Sequence, residues 1–156
     1  MAAQASQILD TIATAIAAVT GLSATKVVRG VPQTTDKGAT YATVTPPAVY
    51  LWLDPPYTAT RGPTSRTHTV ALRVGFAVFA VATSTAKGAL ENAALDLASL
   101  VSVAVLGAPG VGGLALDCDL EITTNGALPA DAPGSVPGCF VAGAFLIRYQ
   151  VVGGAL

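Results

Sequence analysis

RTHTVALRVGFAVFAVAT (66–83) runs directly into STAKGALENAALDLASLVSVAVL (84–106), and the reading of this pair decides the fold. In the first half, Val70, Leu72, Val74, Phe76 and Val78 alternate with Thr69, Ala71, Arg73, Gly75, Ala77 and Phe79. A period of two over so many β-branched and aromatic residues predicts a long strand. In the second half the period changes to that of a helix. Ser84 or Thr85 is placed to cap it, and Leu90, Ala93, Ala94, Leu97, Leu100, Val101 and Ala104 share one side. About sixteen strand residues extend roughly 53 Å at 3.3 Å each. A compact chain of this size is only roughly 40 Å across. The strand is therefore expected to bend, at Gly75 for example, or to reach beyond the body toward a neighbour.

Working outward toward the N-terminus, AQASQILDTIATAIAAV (3–19) sets Ile8, Ile12, Ile16 and Val19 on one helical stripe, with Gly21 as its stop. TKVVRGV (25–31) predicts a short strand closed by Pro32, and PQTTDKGAT is a loop. In PAVYLWLDPPY the strand is expected over Ala48–Leu53, because prolines flank it and cannot donate to a ladder. Val49, Leu51 and Leu53 alternate there with Tyr50 and Trp52, so this strand is expected to be covered on both faces. TATRGPTSR (58–66), with Arg61 and Arg66, reads as an exposed loop.

Toward the C-terminus, GAPGVGG (107–113) stops the helix. LALDCDLEIT (114–123) alternates, with Leu114, Leu116, Cys118, Leu120 and Ile122 inward and Asp117, Asp119 and Glu121 outward. A Gly/Pro/Asp loop containing Asn125 and Asp131 follows, and CFVAGAFLIRYQVV (139–152) closes the chain as a strand. The order α-β-β-β-α-β-β points to one α+β domain over 1–156. Its expected form is a single sheet of about five strands, predominantly antiparallel or mixed, with two helices packed on one face.

The chain has 156 residues, of which 11% are charged and 52% hydrophobic, with a formal net charge of −1. An ordinary soluble domain carries about 25% charged residues. So sparse a charge favours a subunit that lives in an assembly, because large exposed apolar patches mark interaction surfaces. The near-neutral charge lacks the basic footprint of an autonomous nucleic-acid binder. MAAQASQILD has no basic segment ahead of its apolar residues, so no signal peptide is expected. Leu97–Leu116 is free of charge over a membrane-spanning length, but GAPGVGG interrupts it, and no membrane span is expected.

Few residues offer chemistry. Asp117, Asp119 and Glu121 could line a metal site, yet no histidine or second ligand-bearing segment accompanies them. The solvated face of an amphipathic strand is the simpler reading. An acidic wall that lets nucleic acid pass without sticking is an intermediate one. A Cys118–Cys139 hairpin pair is disfavoured, since position 118 is expected opposite about 143, and both cysteines read as buried thiols. His68 has no acid placed to orient it, so no nucleophilic triad is supported. GAPGVGG follows a helix and precedes a strand, the reverse of a phosphate-binding loop. Tyr50, Trp52 and Tyr57 lack interleaved basic residues and read as packing. No catalytic residue, cofactor site or metal site is assigned.

The helix with ILDTIATAI, the strand PAVYLWLD, the long strand THTVALRVGFAVFAVA with ALENAALDLASLV directly after it, and the closing FVAGAFLIRYQV together resemble the tail-terminator (tail-completion, head–tail joining) proteins of long-tailed bacteriophages. The resemblance spans nearly the whole chain and rests on architecture and hydrophobic pattern. It implies a non-enzymatic virion subunit, made in the host cytoplasm and located at the tail neck. Such a subunit forms a homo-oligomeric ring, hexameric as the resemblance implies, that caps the tail tube, stops its polymerisation and meets the head connector. DNA would only pass through its lumen, and the partners are the chain itself, the tail-tube protein and a connector or neck protein. Under that reading Arg61, Arg66, Arg73, Asn125 and Asp131 are candidate interface residues, while Asp117, Asp119 and Glu121 form an acidic lumen or a solvated face. The alternatives are another neck or tail component, such as a head-completion or tail-tube subunit, or a small-ligand-binding α+β domain.

Overall fold

The computed structural model describes residues 3–34, 40–54, 58–61, 67–81, 88–107, 110–127 and 139–152. Among the described residues two long helices, α1 (Gln4–Ala17) and α2 (Ala89–Leu106), and two short helical turns, Ala24–Lys26 and Gly110–Gly113, accompany eight strands. The strands are β1 (Val27–Arg29), β2 (Gln33–Thr34), β3 (Thr40–Tyr41), β4 (Ala48–Leu53), β5 (Thr58–Arg61), β6 (Thr67–Ala80), β7 (Asp117–Ala127) and β8 (Cys139–Val152). Five of them cross the main sheet in the order β1-β4-β6-β8-β7, and β5 pairs with the other half of β6. The β1–β4 pairing is parallel and the others in this sheet are antiparallel, so the sheet is mixed. β2 and β3 form a separate two-stranded ladder. The α+β class and the placement of both helices on one face are as expected.

One face of the sheet builds the main core. Val70, Leu72, Val74, Phe76 and Val78 of β6 and Val141, Phe145, Ile147 and Tyr149 of β8 pack against Ile8, Ile12 and Ile16 of α1 and Leu97 and Val101 of α2. Phe76 stacks on Phe145 at 4.8 Å between ring centres. Part of the opposite face carries a smaller core of Ala42, Ala48, Tyr50, Ala77 and Phe79, with Val44, Trp52 and Phe140 against it. The Tyr50 hydroxyl accepts from the Thr43 backbone N–H at 2.8 Å, which ties the chain segment before β4 across this face. β4 is thus covered on both sides, as its two apolar faces predict.

The expectation that the long strand reaches outward toward a neighbour loses its ground. β6 is matched residue for residue by β8, from Thr67↔Val152 to Ala80↔Cys139. Its other edge is shared between β4 and β5. Its backbone hydrogen bonds therefore go to its own chain, and its length is no argument for a neighbour. Gly75 serves a different purpose. It lies opposite Trp52, and a Cβ there would fall 2.5 Å from Trp52 Nε1, so the glycine makes room for the indole.

Two boundaries also shift. The helix expected from Ser84 or Thr85 begins at Ala89, and Gly88 before it takes φ +79°, a left-handed conformation that a continuous helix cannot contain. Ser84 and Thr85 themselves lie outside the described residues, as do Tyr57, Arg66 and Asp131. On α2 the buried stripe is Ala94, Leu97, Ala98, Val101, Ser102 and Val105. Leu90 and Ala93 flank it half-buried, whereas Leu100 turns out to be exposed. Ala98 and Ser102 belong to that stripe, and Leu100 falls off it. The last acidic strand begins at Asp117 rather than 114, so Leu116 is exposed ahead of it. GAPGVGG does stop α2, and the turn after it holds Val111 at φ +50° and Gly112 at φ +69°.

By length and composition alone, 89–113 is apolar enough to cross a membrane. Here α2 lies along the sheet with one side buried in the core.

Candidate assembly surface

Two surfaces stand out, one on each face of the sheet. The first is a charged strip on the face away from the helices. It starts from the alternation that puts Arg73 of β6, Arg148 of β8 and Asp117, Asp119 and Glu121 of β7 on the same side. Arg73 Nε donates to Asp54 Oδ2 at 2.8 Å, and its Nη1 donates to Glu121 Oε2 at 2.7 Å. To reach Glu121 the guanidinium passes over β8, where small Ala144 lies between Gly75 and Glu121 in register. Arg148, directly opposite Asp117, grips that carboxylate with Nε at 3.0 Å and with Nη2. These hydrogen bonds hold the Asp117 carboxyl below its ordinary pKa and raise both guanidinium values. Asp119, between them, has no ion-pair partner among the described residues and lies in the field of Arg148. A shallow depression of about 310 Å³ runs between Arg73, Asp119, Leu146 and Arg148.

The second surface is an apolar groove beside α2. Residues at helical spacing on its outer side stay open: Leu95 is 48% exposed, Val103 68% and Leu106 39%. With Ala98 and Ser102 of α2, Leu120 of β7 and Val141 of β8 they border a groove of about 520 Å³. Ser102 closes its own hydroxyl onto the Ala98 carbonyl at 2.7 Å, which leaves the groove floor apolar. Wide exposure of large aliphatic residues on a single helix side is the feature that marks contact surfaces.

Of the candidate interface residues, Arg73 is drawn into the ion-pair strip. Arg61 sits at the end of β5 in register with His68, so it belongs to a strand rather than a loop. Asn125 likewise lies within β7, opposite Val141 and just past an irregularity between Ile122 and Thr124. Arg148 and Asp54 are not among the candidate interface residues, although Arg148, with Gln150, is a polar exception on the apolar strand β8 and so a usable signal. Cys118 is a half-buried free thiol opposite Ile147, not 143, and burial pushes it up to about 11. Cys139 lies eight positions away on β8, in register with Ala127. Among the described residues no cluster of three or more His, Cys, Asp or Glu side chains could hold a metal ion.

No family model matches this chain, and no curated protein does. Among solved structures it is similar to a chain from the virion of a native gene transfer agent particle. That alignment covers 96% of this chain and 94% of the other, at 18% identity and a TM-score of 0.38.

Proposed function

We propose that this chain is a structural, non-enzymatic virion subunit of the tail-terminator kind. It closes into a ring, hexameric as the family resemblance implies, that caps the tail tube at the neck, ends tube polymerisation and meets the head connector. The observation that carries the reading is the open aliphatic side of α2, Leu95, Val103 and Leu106 with Leu120 across the groove. A chain with 11% charged residues leaves this surface uncovered when alone, which suits a subunit whose stable state is an assembly. The order of elements, with α2 directly after the longest strand and both helices on one face, supports the same reading.

Native mass spectrometry and negative-stain imaging of the purified chain, alone and with a tail-tube protein, test it. Closed rings, and tubes whose growth stops when the chain is added, are the expected outcome. Monomers in both conditions with tube growth unaltered would overturn it.

A further inference from the structure

Three features meet at the β7 border of the sheet. Among the described residues β7 pairs only with β8, so its outer edge, up to eleven residues long, offers backbone donors and acceptors to a further strand. On the helix side, Leu120 of β7 borders the groove left open by Leu95, Val103 and Leu106 of α2. On the other side lies the charged strip, with the carboxylates of Asp54, Asp117, Asp119 and Glu121 against the guanidiniums of Arg73 and Arg148. Arg73 is engaged by Asp54 and Glu121, and Arg148 by Asp117. The exposed Asp119 has no ion-pair partner among the described residues, so the border keeps an acidic surplus.

We infer that the β7 edge is the docking site for an extended segment of a partner protein, in which aliphatic residues alternate with Lys or Arg. Each requirement comes from one part of the border. Only an extended backbone matches a strand edge, because its N–H and C=O groups repeat at the period of the ladder. The side chains of an added strand alternate between the two faces of the sheet. Those on the helix side fall beside Leu120 and under the outer side of α2, where aliphatic groups cover the groove. Those on the other side fall beside Asp119, where the carboxylate surplus selects cations and opposes acidic segments. The β7 strand of a second copy fits poorly, since it carries three carboxylates of its own to the same border. This inference deepens the assembly reading and rests on the same open side of α2, but not on ring closure.

The probe is a fluorescently labelled peptide of about eight residues, a common strand length, with Lys and Val alternating. It is titrated into the full chain and read by anisotropy. It is expected to bind roughly tenfold more tightly than a peptide with Lys and Val in separate blocks, or one alternating Glu and Val. Methylating the backbone nitrogens of one alternate set should abolish binding, and methylating the other set should spare it, because only one edge of a docked strand faces β7. Asp119→Lys and Val103→Ser, each checked for its fold by thermal melting, should both weaken binding severalfold. A block peptide that binds as well, methylation without effect on either set, variants that bind like wild type, or no binding at all would each overturn the assignment. Rings that form from a chain the peptide does not bind would leave the ring reading standing without this site. Peptide binding to a chain that stays monomeric with tube protein would do the reverse.

Discussion

Gly143 shows how finely single residues are constrained here. It sits opposite Phe76 on one side and Ile122 on the other. An added Cβ would run into the Glu121 carbonyl oxygen and come within 3.0 Å of the Phe76 ring. Backbone cannot yield as a flexible side chain can, so Gly143→Ala is expected to cost about 1–3 kcal/mol, measured by urea unfolding. Cys118 makes a pH prediction. Its thiol is pushed from 9.0 to about 11, first by burial and then by Asp119 and Asp117. The native state keeps the proton that the unfolded chain releases. The stability this supplies is complete below about pH 9 and is lost as pH rises toward 11. The stability difference between wild type and Cys118→Ala, followed from pH 8 to 11, should shift against wild type by that route. Asp117 behaves in the opposite sense. Its carboxyl is held low by Arg148, so its contribution is present above the ordinary carboxylate range and fades as pH falls through its lowered folded value. Because the pair is largely solvent-exposed, the effect is small, and Asp117→Asn should flatten only the acid end of the stability curve.

At the scale of elements, α2 has two sides with different tasks. Leu97 faces the core and Val103 faces out. Leu97→Asp buries a charge with no partner and is expected to lower the melting temperature by many degrees or abolish soluble expression. Val103→Asp places its charge in water and should leave melting within a degree or two. It should nevertheless weaken self-association, because it introduces a carboxylate into the groove beside Leu120. If both substitutions destabilised the monomer equally, α2 would be an ordinary core helix and the groove no contact surface. β6 and β8 are the opposite kind of element. Each is fourteen residues long and each is the other's partner throughout, so this hairpin-like pair is the frame on which both helices and both borders hang. The length that looked like a reach from sequence is satisfied internally.

For the whole molecule the relevant quantity is how little charge it has and where that charge lies. Nine acidic and eight basic residues are spread over 156. In the main sheet the carboxylates of β7 border one end, and Lys26 and Arg29 border the other. Edge charges near the surface are screened over roughly 8–10 Å at physiological salt. Under the proposed ring, assembly is expected to form more slowly as salt rises from about 50 to 500 mM, while burial of the apolar α2 side would hold assembled copies together. Stopped-flow light scattering across that salt range measures it, and rates independent of salt would remove electrostatics from the encounter.

Periodicity by itself determined the elements: the strand 67–80, the helix after it, the strand 48–53 and the two faces of each. It did so because a period of two or 3.6 is a local property of the chain. The order of those elements was enough to set the α+β class. Pairing was beyond reach. That β1 runs parallel to β4, that Cys118 meets Ile147, and that Arg73 bridges Asp54 and Glu121 depend on register and on which strands become neighbours. The open side of α2 was hidden for the same reason. Leu97 and Leu100 are the same residue type three positions apart, and only the angle at which the helix rests on the sheet decides that one is buried and the other faces water.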